Sequence, residues 1–362
     1  MPSTPSSSLT PPIFDGHNDV LLRLHRKDAS DAATQFVEGD GRGHLDLPRM
    51  IKGGFGGGFF AVFVPSPMDP NAGGFMDSMQ GDSYDLPLPA ELDISFAQPI
   101  ALEMMGLLFQ IEKESDGAFT VCRTAADIRA ALERGSVAAI LHIEGAETID
   151  PEFRSLEVLY QAGLRSIGPV WSRPTAFAHG VPFRFPGTPD TGPGLTDLGK
   201  ELIRRCNDMR VMVDLSHLNE AGFWDVAEIS DAPLVATHSN AHALSASTRN
   251  LTDRQLAAVK ETGGMVGINF ATCFLRADGQ MNAQTGLDVM MRHLDHLIEH
   301  AGEDCVGFGS DFDGATIPGD IGDVAGLPVL RQAMRDHGVD DALMEKLCWG
   351  NWVRVLEETW GE

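Results

Sequence analysis

The chain alternates short apolar segments with helical ones along almost its whole length, and this alternation limits the folds open to it. Eight segments have the length and apolar character of buried strands, namely residues 13–17, 58–64, 136–143, 164–170, 211–216, 233–238, 264–270 and 305–310. Helical patterns lie between them, at residues 93–114, 124–134, 152–162, 196–209, 219–229, 252–262 and 285–301, with two more after residue 327. Strands that alternate with helices form parallel sheets, and eight such units predict an α/β fold of the (β/α)₈ barrel type.

The barrel is expected to form one domain over residues 13–362, because no repeat or linker interrupts it and barrels commonly run to this length. Residues 1–12, which are rich in Ser, Thr and Pro, are expected to form a flexible arm. Thr196 and Thr252 precede helical patterns, where a hydroxyl can cap the first turn. Two long segments, residues 65–90 and 171–195, are expected to be loops that shape a pocket at the barrel mouth.

Metal-binding and acid–base side chains recur where predicted strands end, which is the rim where barrels carry their active sites. They are His17, Asp19, Glu144, His217, His238 and Asp311. His17 and Asp19 alternate along an extended segment, so both point the same way and can bind one ion. Three histidines and two carboxylates suit a pair of zinc-like ions, with one carboxylate as a bridge and Asp311 left for proton transfer.

Most single histidines in globular chains are surface or hydrogen-bonded residues, so each candidate needs a further argument. The six residues above have one, because ligand-type side chains at several independent strand ends are improbable by chance. Histidines away from strand ends are interpreted as solvated or interfacial; these are His25, His44, His293, His296, His300 and His337. His142 lies two residues before Glu144 and is expected to pack one layer below the ions. Asp311 also fits an ordinary Asp/Gly turn, and both interpretations can hold together.

Arg249 follows the sixth predicted strand, eleven residues beyond His238. As an ordinary loop residue it would be solvated. Near the ions, its guanidinium could instead bind a substrate carboxylate through two parallel hydrogen bonds.

The composition of the chain indicates which partners to expect and where in the cell the protein is located. The formal net charge is −25, with no cluster of Lys or Arg, so neither nucleic acid nor an anionic membrane is an expected partner. The five cysteines are scattered singly, which predicts reduced, buried thiols. The N-terminal residues lack a basic start and an apolar core, and no apolar segment reaches bilayer length, so we expect a cytoplasmic protein.

Six short motifs, taken in order, resemble the membrane (renal) dipeptidase family, peptidase family M19, of the amidohydrolase superfamily. They are Asp15-Gly16-His17-Asn18-Asp19, Glu144-Gly145, Asp214-Leu215-Ser216-His217, Thr237-His238-Ser239, Arg249-Asn250 and Gly309-Ser310-Asp311-Phe312-Asp313-Gly314. The resemblance covers about residues 13–357. It implies a distorted (β/α)₈ barrel. Mammalian members of the family are lipid-anchored at the cell surface; because this sequence shows no signal peptide and no apolar tail, we expect a soluble relative.

The resemblance also implies roles for the candidate residues. One zinc ion would be held by His17, Asp19 and Glu144, and the other by Glu144, His217 and His238. A bridging hydroxide would attack the dipeptide carbonyl, Asp311 would shuttle the proton, and Arg249 would hold the C-terminal carboxylate. The family tolerates a D-residue at the C-terminal position of the substrate.

One position departs from the family pattern. Trp171 stands where the better-known members carry a substrate-binding histidine, and an indole can donate one hydrogen bond but cannot take a proton. Substrate choice is therefore less determined than reaction class. Two alternatives stay open, namely another amidohydrolase-type hydrolysis or a deamination on the same site, and a barrel that only binds. The sequence leaves the oligomeric state open, a homodimer included.

Overall fold

A barrel of parallel strands surrounded by helices forms the body of the protein. The computed structural model describes residues 10–27, 30–67, 78–79 and 81–361. The strands are β1 (Ile13–Asn18), β2 (Phe55–Phe63), β3 (Tyr84–Asp85), β4 (Phe119–Val121), β5 (Val137–Glu144), β6 (Leu164–Gly168), β7 (Arg184–Phe185), β8 (Met212–Val213), β9 (Val235–Ala236), β10 (Met265–Asn269) and β11 (Val306–Gly309).

The helices lie mainly between consecutive barrel strands. They are α1 (Val20–His25), α2 (Ala32–Glu38), α3 (Leu47–Gly53), α4 (Ile94–Glu114), α5 (Ala125–Glu133), α6 (Arg154–Ala162), α7 (Asp197–Met209), α8 (Glu220–Ile229), α9 (Asp253–Glu261), α10 (Thr272–Leu275), α11 (Leu287–Ala301), α12 (Leu327–Asp336), α13 (Asp341–Glu345) and α14 (Asn351–Trp360). Short 3-10 helices occupy Ala146–Thr148, Glu303–Cys305 and Val324–Gly326, and a π-helix occupies Lys346–Gly350.

Eight of the strands close into the barrel. Their order is β8-β6-β5-β2-β1-β11-β10-β9, with every neighbouring pair parallel. A parallel bridge between Asp214 and Val235 joins the two ends of this order. The predicted fold class is therefore confirmed, and the carboxyl ends of all eight strands meet at one rim.

The predicted elements appear with small shifts at their ends, and two helix starts have the expected caps. Thr196 accepts a hydrogen bond from the Gly199 amide, and Thr252 forms a reciprocal capping box with Gln255. The short helices α1, α2 and α3 were not predicted, nor were strands β3, β4 and β7. The division into an arm and one barrel domain stays a prediction, because residues 1–9 of that arm lie outside the described residues.

Apolar side chains fill the end of the barrel that lies opposite the rim formed by the carboxyl ends of the strands. Phe14, Phe59 and Ile140 from three strands pack there with Trp352 of α14. The Trp352 indole donates a hydrogen bond to the carbonyl of Phe308 at 3.0 Å, so its polar atom is satisfied inside the fold. The C-terminal helix thereby closes the lower end of the barrel, which leaves the opposite rim for polar groups.

The two long loops meet at the mouth of the barrel. Strands β3 and β7 pair antiparallel, one from each predicted loop, and Tyr84 and Phe185 lie opposite each other in this ribbon. The ribbon belongs to a separate apolar cluster against which Trp171 packs. The prediction for residues 65–90 falls in part on residues 68–77 and 80, which lie outside the described residues.

The interpretation of His293 as solvated or interfacial is wrong. Its ring is buried, with Nδ1 accepting from the Ala241 amide at 3.2 Å and Nε2 2.8 Å from the Leu275 carbonyl. These partners are 52 and 18 residues away in sequence, so no local pattern could indicate them. His293 thus ties α11 to the segments that follow β9 and β10.

Two further expectations concern cysteines and membranes. All five cysteines are free and buried, as predicted. Among the described helices, α4 is long and apolar enough to cross a membrane by length and composition alone. It packs one face against α1 and α2, and core helices of ordinary globular proteins pass the same test, so this is weak evidence for a membrane span.

Candidate metal centre

The candidate residues from five different strand ends converge at the upper rim of the barrel. His17 lies in β1 with Asp19 directly after it, and Glu144 is the last residue of β5. His217, His238 and Asp311 follow β8, β9 and β11. The first five are buried, and Asp311 is partly accessible. Their placement agrees with the sequence-based expectation for all six.

Glu144 lies between two groups of ligand-type atoms. Its Oε1 is 3.0 Å from His217 Nε2 and 3.6 Å from His238 Nε2, whereas Oε2 is 3.7 Å from His17 Nε2. His17 Nε2 is also 3.3 Å from Asp19 Oδ2. Donor atoms of His17, Asp19 and Asp311 all lie within 4.8 Å of one another. The arrangement therefore has two lobes that share one carboxylate.

Hydroxyl groups orient two of the histidines. Thr237 Oγ1 donates to Asp214 Oδ2 at 2.6 Å, so it must accept the proton of His238 Nδ1, which lies 2.8 Å away. His238 Nε2 is then an unprotonated acceptor that faces Glu144. Ser172 Oγ lies 2.8 Å from His217 Nδ1 and orients that ring as well. For His238, the contact leaves Nε2 for a metal ion.

The packing of polar atoms in this cluster fits a divalent cation. The Nε2 atoms of His217 and His238 are 3.1 Å apart, and both ring nitrogens of buried His17 lack a hydrogen-bond partner in the described part of the chain. Buried polar atoms are normally satisfied, so orphaned nitrogens beside three carboxylates need an explanation. A cation among them would satisfy the nitrogens and the carboxylates together.

The electrostatics lead to the same conclusion. Burial raises the pKa of Glu144 well above its usual range, with the carboxylates of Asp19 and Asp311 adding to the effect. Burial, followed by repulsion from Asp19, raises the pKa of Asp311 to about 6. Burial opposes the charge on His17, but Glu144 and Asp19 raise its pKa to about 10. The cluster therefore favours added positive charge, which one or more metal ions would supply.

The turn after β11 places Asp311 against the other carboxylates. Asp311 has a left-handed backbone (φ +58°), and Asn269 Nδ2 donates to its Oδ2 at 2.9 Å. Gly314 closes the turn, and a Cβ there would lie 2.1 Å from Asp19 Oδ2 and 2.3 Å from Asp311 Oδ1. A side chain larger than that of glycine would therefore collide with these two carboxylates at position 314. The left-handed backbone of Asp311 is strained and is stabilised by contacts such as the one with Asn269.

Arg249 is a buried cation beside the cluster. Its Nη2 donates to the carbonyl of His238 at 3.0 Å, and its guanidinium carbon lies 5.4 Å from the centre of the Phe274 ring. Its Nε has no hydrogen-bond partner in the part of the chain that the structure describes. Among the described residues, no carboxylate lies within ion-pair distance of it. Burial lowers the pKa of Arg249. A buried guanidinium without a carboxylate is costly unless an anionic ligand completes it.

Trp171 lines the cluster from the side of β6. Its ring centre is 5.8 Å from that of His217, 5.0 Å from that of Phe63 and 5.6 Å from that of Phe183. The Trp171 side chain is partly exposed. The structure thus brings Trp171 to the site, in an aromatic wall.

Several supporting residues were not predicted from the sequence. Asp15 accepts from the amide and hydroxyl of Ser310 at 2.6 and 2.7 Å, which ties β1 to the turn after β11. Asp214 and Thr237 stand beside candidate ligand histidines in the sequence, and their polar side chains at those positions are a usable signal for a supporting role. His142 lies below, with Nδ1 2.9 Å from Ser166 Oγ and its ring centre 5.8 Å from that of His17.

Comparison with known proteins decides the family. The model of the membrane dipeptidase family, peptidase family M19, matches residues 9–360. The chain belongs to this family. The resemblance stated from the six motifs is therefore confirmed, and with it the assignment of the chain to an enzyme family of metallopeptidases.

Solved structures of M19 relatives are similar over nearly the whole chain. A metallopeptidase from Rhodobacter sphaeroides, crystallised with a phosphinate mimic of the dipeptide L-Ala-D-Ala, is 58% identical with a TM-score of 0.95, covering 97% of this chain and 100% of its own. The dipeptidase AC, also an M19 metallopeptidase, is 58% identical with a TM-score of 0.94, covering 98% and 100%.

A curated relative from Klebsiella pneumoniae, an uncharacterised protein from the 5′ region of pqqA, is 49% identical over 261 residues, which are 72% of this chain and 96% of that one. Membership of this metallopeptidase family implies a divalent metal.

Proposed function

We propose that the protein is a zinc-dependent dipeptidase that hydrolyses the peptide bond of dipeptides, including those of the L-Xaa-D-Xaa type. Two zinc ions would share the cluster. His17, Asp19 and Glu144 would hold one, and Glu144, His217 and His238 the other. The observation that carries this assignment is the position of Glu144, whose two oxygens face different histidines.

Zinc fits the donor set of this cluster. Imidazole nitrogens combined with carboxylate oxygens are typical ligands of catalytic zinc, and three histidines with two carboxylates exceed what one four-coordinate ion would use. When bound, such a pair of ions supplies Lewis acidity and water of lowered pKa at the scissile carbonyl.

Asp311 is the candidate for moving the proton. It is the one carboxylate of the group that is partly accessible and that neither ion would need as a ligand. Asn269 holds one of its oxygens and leaves the other free for the attacking water and then for the leaving amine. Its left-handed backbone points the carboxylate at the side occupied by His17 and Asp19.

Arg249 is the candidate for binding the substrate's C-terminal carboxylate. The guanidinium donates to the backbone carbonyl of His238, and its Nε has no partner in the described part of the chain, so a donor beside the cluster is free for a substrate carboxylate. A carboxylate held beside the cluster favours dipeptides over longer peptides. The phosphinate dipeptide mimic bound by the R. sphaeroides relative supports this size of substrate.

Trp171, which is partly exposed beside His217, would contact the substrate. Together with Phe63 and Phe183 it forms an aromatic wall beside His217, which suits a small apolar side chain. The cytoplasmic location, a homodimer and the lack of nucleic-acid and membrane partners stay predictions.

The proposal is tested with zinc-loaded protein and panels of L-Xaa-L-Xaa and L-Xaa-D-Xaa dipeptides, with free amino acids as the readout. We expect hydrolysis of both panels and none of N-blocked tripeptides. Release of ammonia from purines or pyrimidines, without dipeptide cleavage, would replace the proposal with a deaminase. Tight dipeptide binding without turnover would support a binding protein.

A further inference from the structure

A second group of metal-ligand side chains lies on the outer helix layer, where α9 packs against α11. His296 and His300 are one helical turn apart on α11, and Asp253 is the first residue of α9. One ligand atom from each of the three lies within 4.8 Å of those of the other two. In the described part of the chain, none of them contacts the candidate metal centre at the barrel rim, which is called the barrel cluster below (His17, Asp19, Glu144, His217, His238 and Asp311).

The geometry of this group resembles a chelate more than a chance surface contact. His296 Nε2 is 2.7 Å from Asp253 Oδ1, and the rings of His296 and His300 stack with centres 4.3 Å apart and planes at 29°. Residues four apart on a helix face the same way, so both rings can turn their nitrogens toward one point. All three side chains are partly or fully exposed and free to adjust by the few tenths of an ångström that an ion requires.

The simpler interpretation of this group is a surface His–Asp contact without a metal ion. A surface His–Asp pair contributes little and is common. His337 with Asp295 is such a pair, at 2.9 Å, and it has no third ligand within the described residues. The group on α9 and α11 differs because a second imidazole is present and makes no other hydrogen bond or ion pair within that part of the chain.

We propose that Asp253, His296 and His300 form a peripheral site for a divalent transition-metal ion of the zinc type. Two imidazole nitrogens and one carboxylate oxygen supply three ligands, and water completes a tetrahedron. Such a site is open and binds more weakly than a closed four-ligand site. The strongly negative net charge of the chain raises the local concentration of cations.

The site would act as a clamp between two helices that border the barrel cluster. Asp253 follows Arg249 by four residues, with the capping residue Thr252 between them. On α11, His293 holds the Ala241 amide three residues beyond His238. An ion that joins Asp253 to α11 therefore restrains the segment between His238 and α9, and this effect does not depend on the reaction catalysed.

The test is a zinc titration of holoprotein whose barrel cluster has been saturated and whose excess zinc has been dialysed away. Calorimetry should show one further, weaker zinc equivalent in the wild-type protein. The binding constant should fall at least tenfold in H300A and in the double variant H296A/H300A. It should be unchanged in the matched control H337A, which removes a histidine with one carboxylate partner.

Independent readouts keep the result clear if a variant is less stable. Added zinc should raise the unfolding temperature of wild type and H337A but not of D253N, in which Thr252 still caps α9. An anomalous zinc peak between the two histidines in zinc-soaked crystals is the expected structural result. Absence of the extra equivalent in wild type, or its persistence in H296A/H300A, would overturn the proposal whatever the outcome of the dipeptidase assays.

Discussion

Glu144 is the residue on which the proposed two-ion centre depends most, because its two oxygens face different histidines. Its two oxygens lie within 3.7 Å of three different histidine nitrogens. If two ions are bound as proposed, we expect Glu144→Gln to lower the content of both together, since an amide offers one weak acceptor in place of two charged ones. Elemental analysis of protein purified without chelator measures this. Loss of a single ion, with the other fully retained, would contradict the bridging role.

A substitution at Asp311 distinguishes an effect on proton transfer from an effect on metal binding. In Asp311→Asn, the amide oxygen can still accept from Asn269, so the turn and the metal content should persist. Because an amide cannot accept the proton, we expect kcat to fall by about 10² or more. Kinetics on a good dipeptide and metal analysis of the same sample check this. Near-normal turnover with full metal content would assign the proton to another group.

A substitution at Arg249 tests how the substrate's C-terminal carboxylate is recognised. Arg249→Met should cost about 2 to 5 kcal/mol in kcat/KM on dipeptides, because the substrate carboxylate loses its buried partner. The corresponding dipeptide amides carry no carboxylate, so the variant should lose little on them. Equal losses on acids and amides would instead show that the arginine supports the loop through the His238 carbonyl.

At the scale of single elements, the turn after β11 acts by shape. Gly314 leaves room for Asp19 and Asp311, whereas an added methyl group would lie within 2.3 Å of an oxygen of each. We expect Gly314→Ala to reduce binding of the ion near His17 and Asp19 and to lower activity accordingly. Metal titration of the variant checks this.

The matched control for that experiment is Gly106→Ala. Gly106 lies inside α4, where an added Cβ meets nothing within 4 Å. Alanine in a helix interior is favoured over glycine by about 0.5–1 kcal/mol, so this variant should be as stable as the parent or more stable, with normal metal content. A similar metal loss in both variants would remove the spatial argument.

At the scale of the whole molecule, His293 connects the helix layer to the barrel. Its burial makes the free energy of unfolding depend on pH. Burial lowers the pKa of His293 to about 4, from 6.5 in the unfolded chain. Between these values the unfolded chain binds the extra proton, so the contribution of His293 to stability is complete above about pH 6.5. It falls as the pH drops toward about 4.

We therefore expect the free energy of unfolding of His293→Gln to fall less steeply over this window than that of the parent. The difference in slope should approach about 1.4 kcal/mol per pH unit. Gln can still accept from the Ala241 amide and donate to the Leu275 carbonyl. Urea unfolding at several pH values measures the difference, and identical slopes would show that His293 does not titrate in this way. Protonation of the metal ligands affects both proteins alike and cancels.

The sequence by itself determined the barrel and the identity of the clustered residues. Strand length, alternation of faces and helix caps such as Thr252 are set by neighbours in the chain, so they can be read locally. Parallel strands bring their carboxyl ends to one rim, which is why the sequence alone predicts that His17, Glu144 and His238 lie together. The segments that lack regular periodicity, such as the ribbon of β3 and β7, could not be located in this way.

Only the tertiary structure decided how those residues are oriented and which others serve them. Contacts between distant segments decide which histidines the two Glu144 oxygens face and which hydroxyls, those of Ser172 and Thr237, lie behind the histidines. They also decide that no carboxylate of the described residues lies beside Arg249. The burial of His293 and the meeting of Asp253 with His296 have the same origin. Local patterns report which face a side chain takes; its partners are set by packing across tens to hundreds of residues.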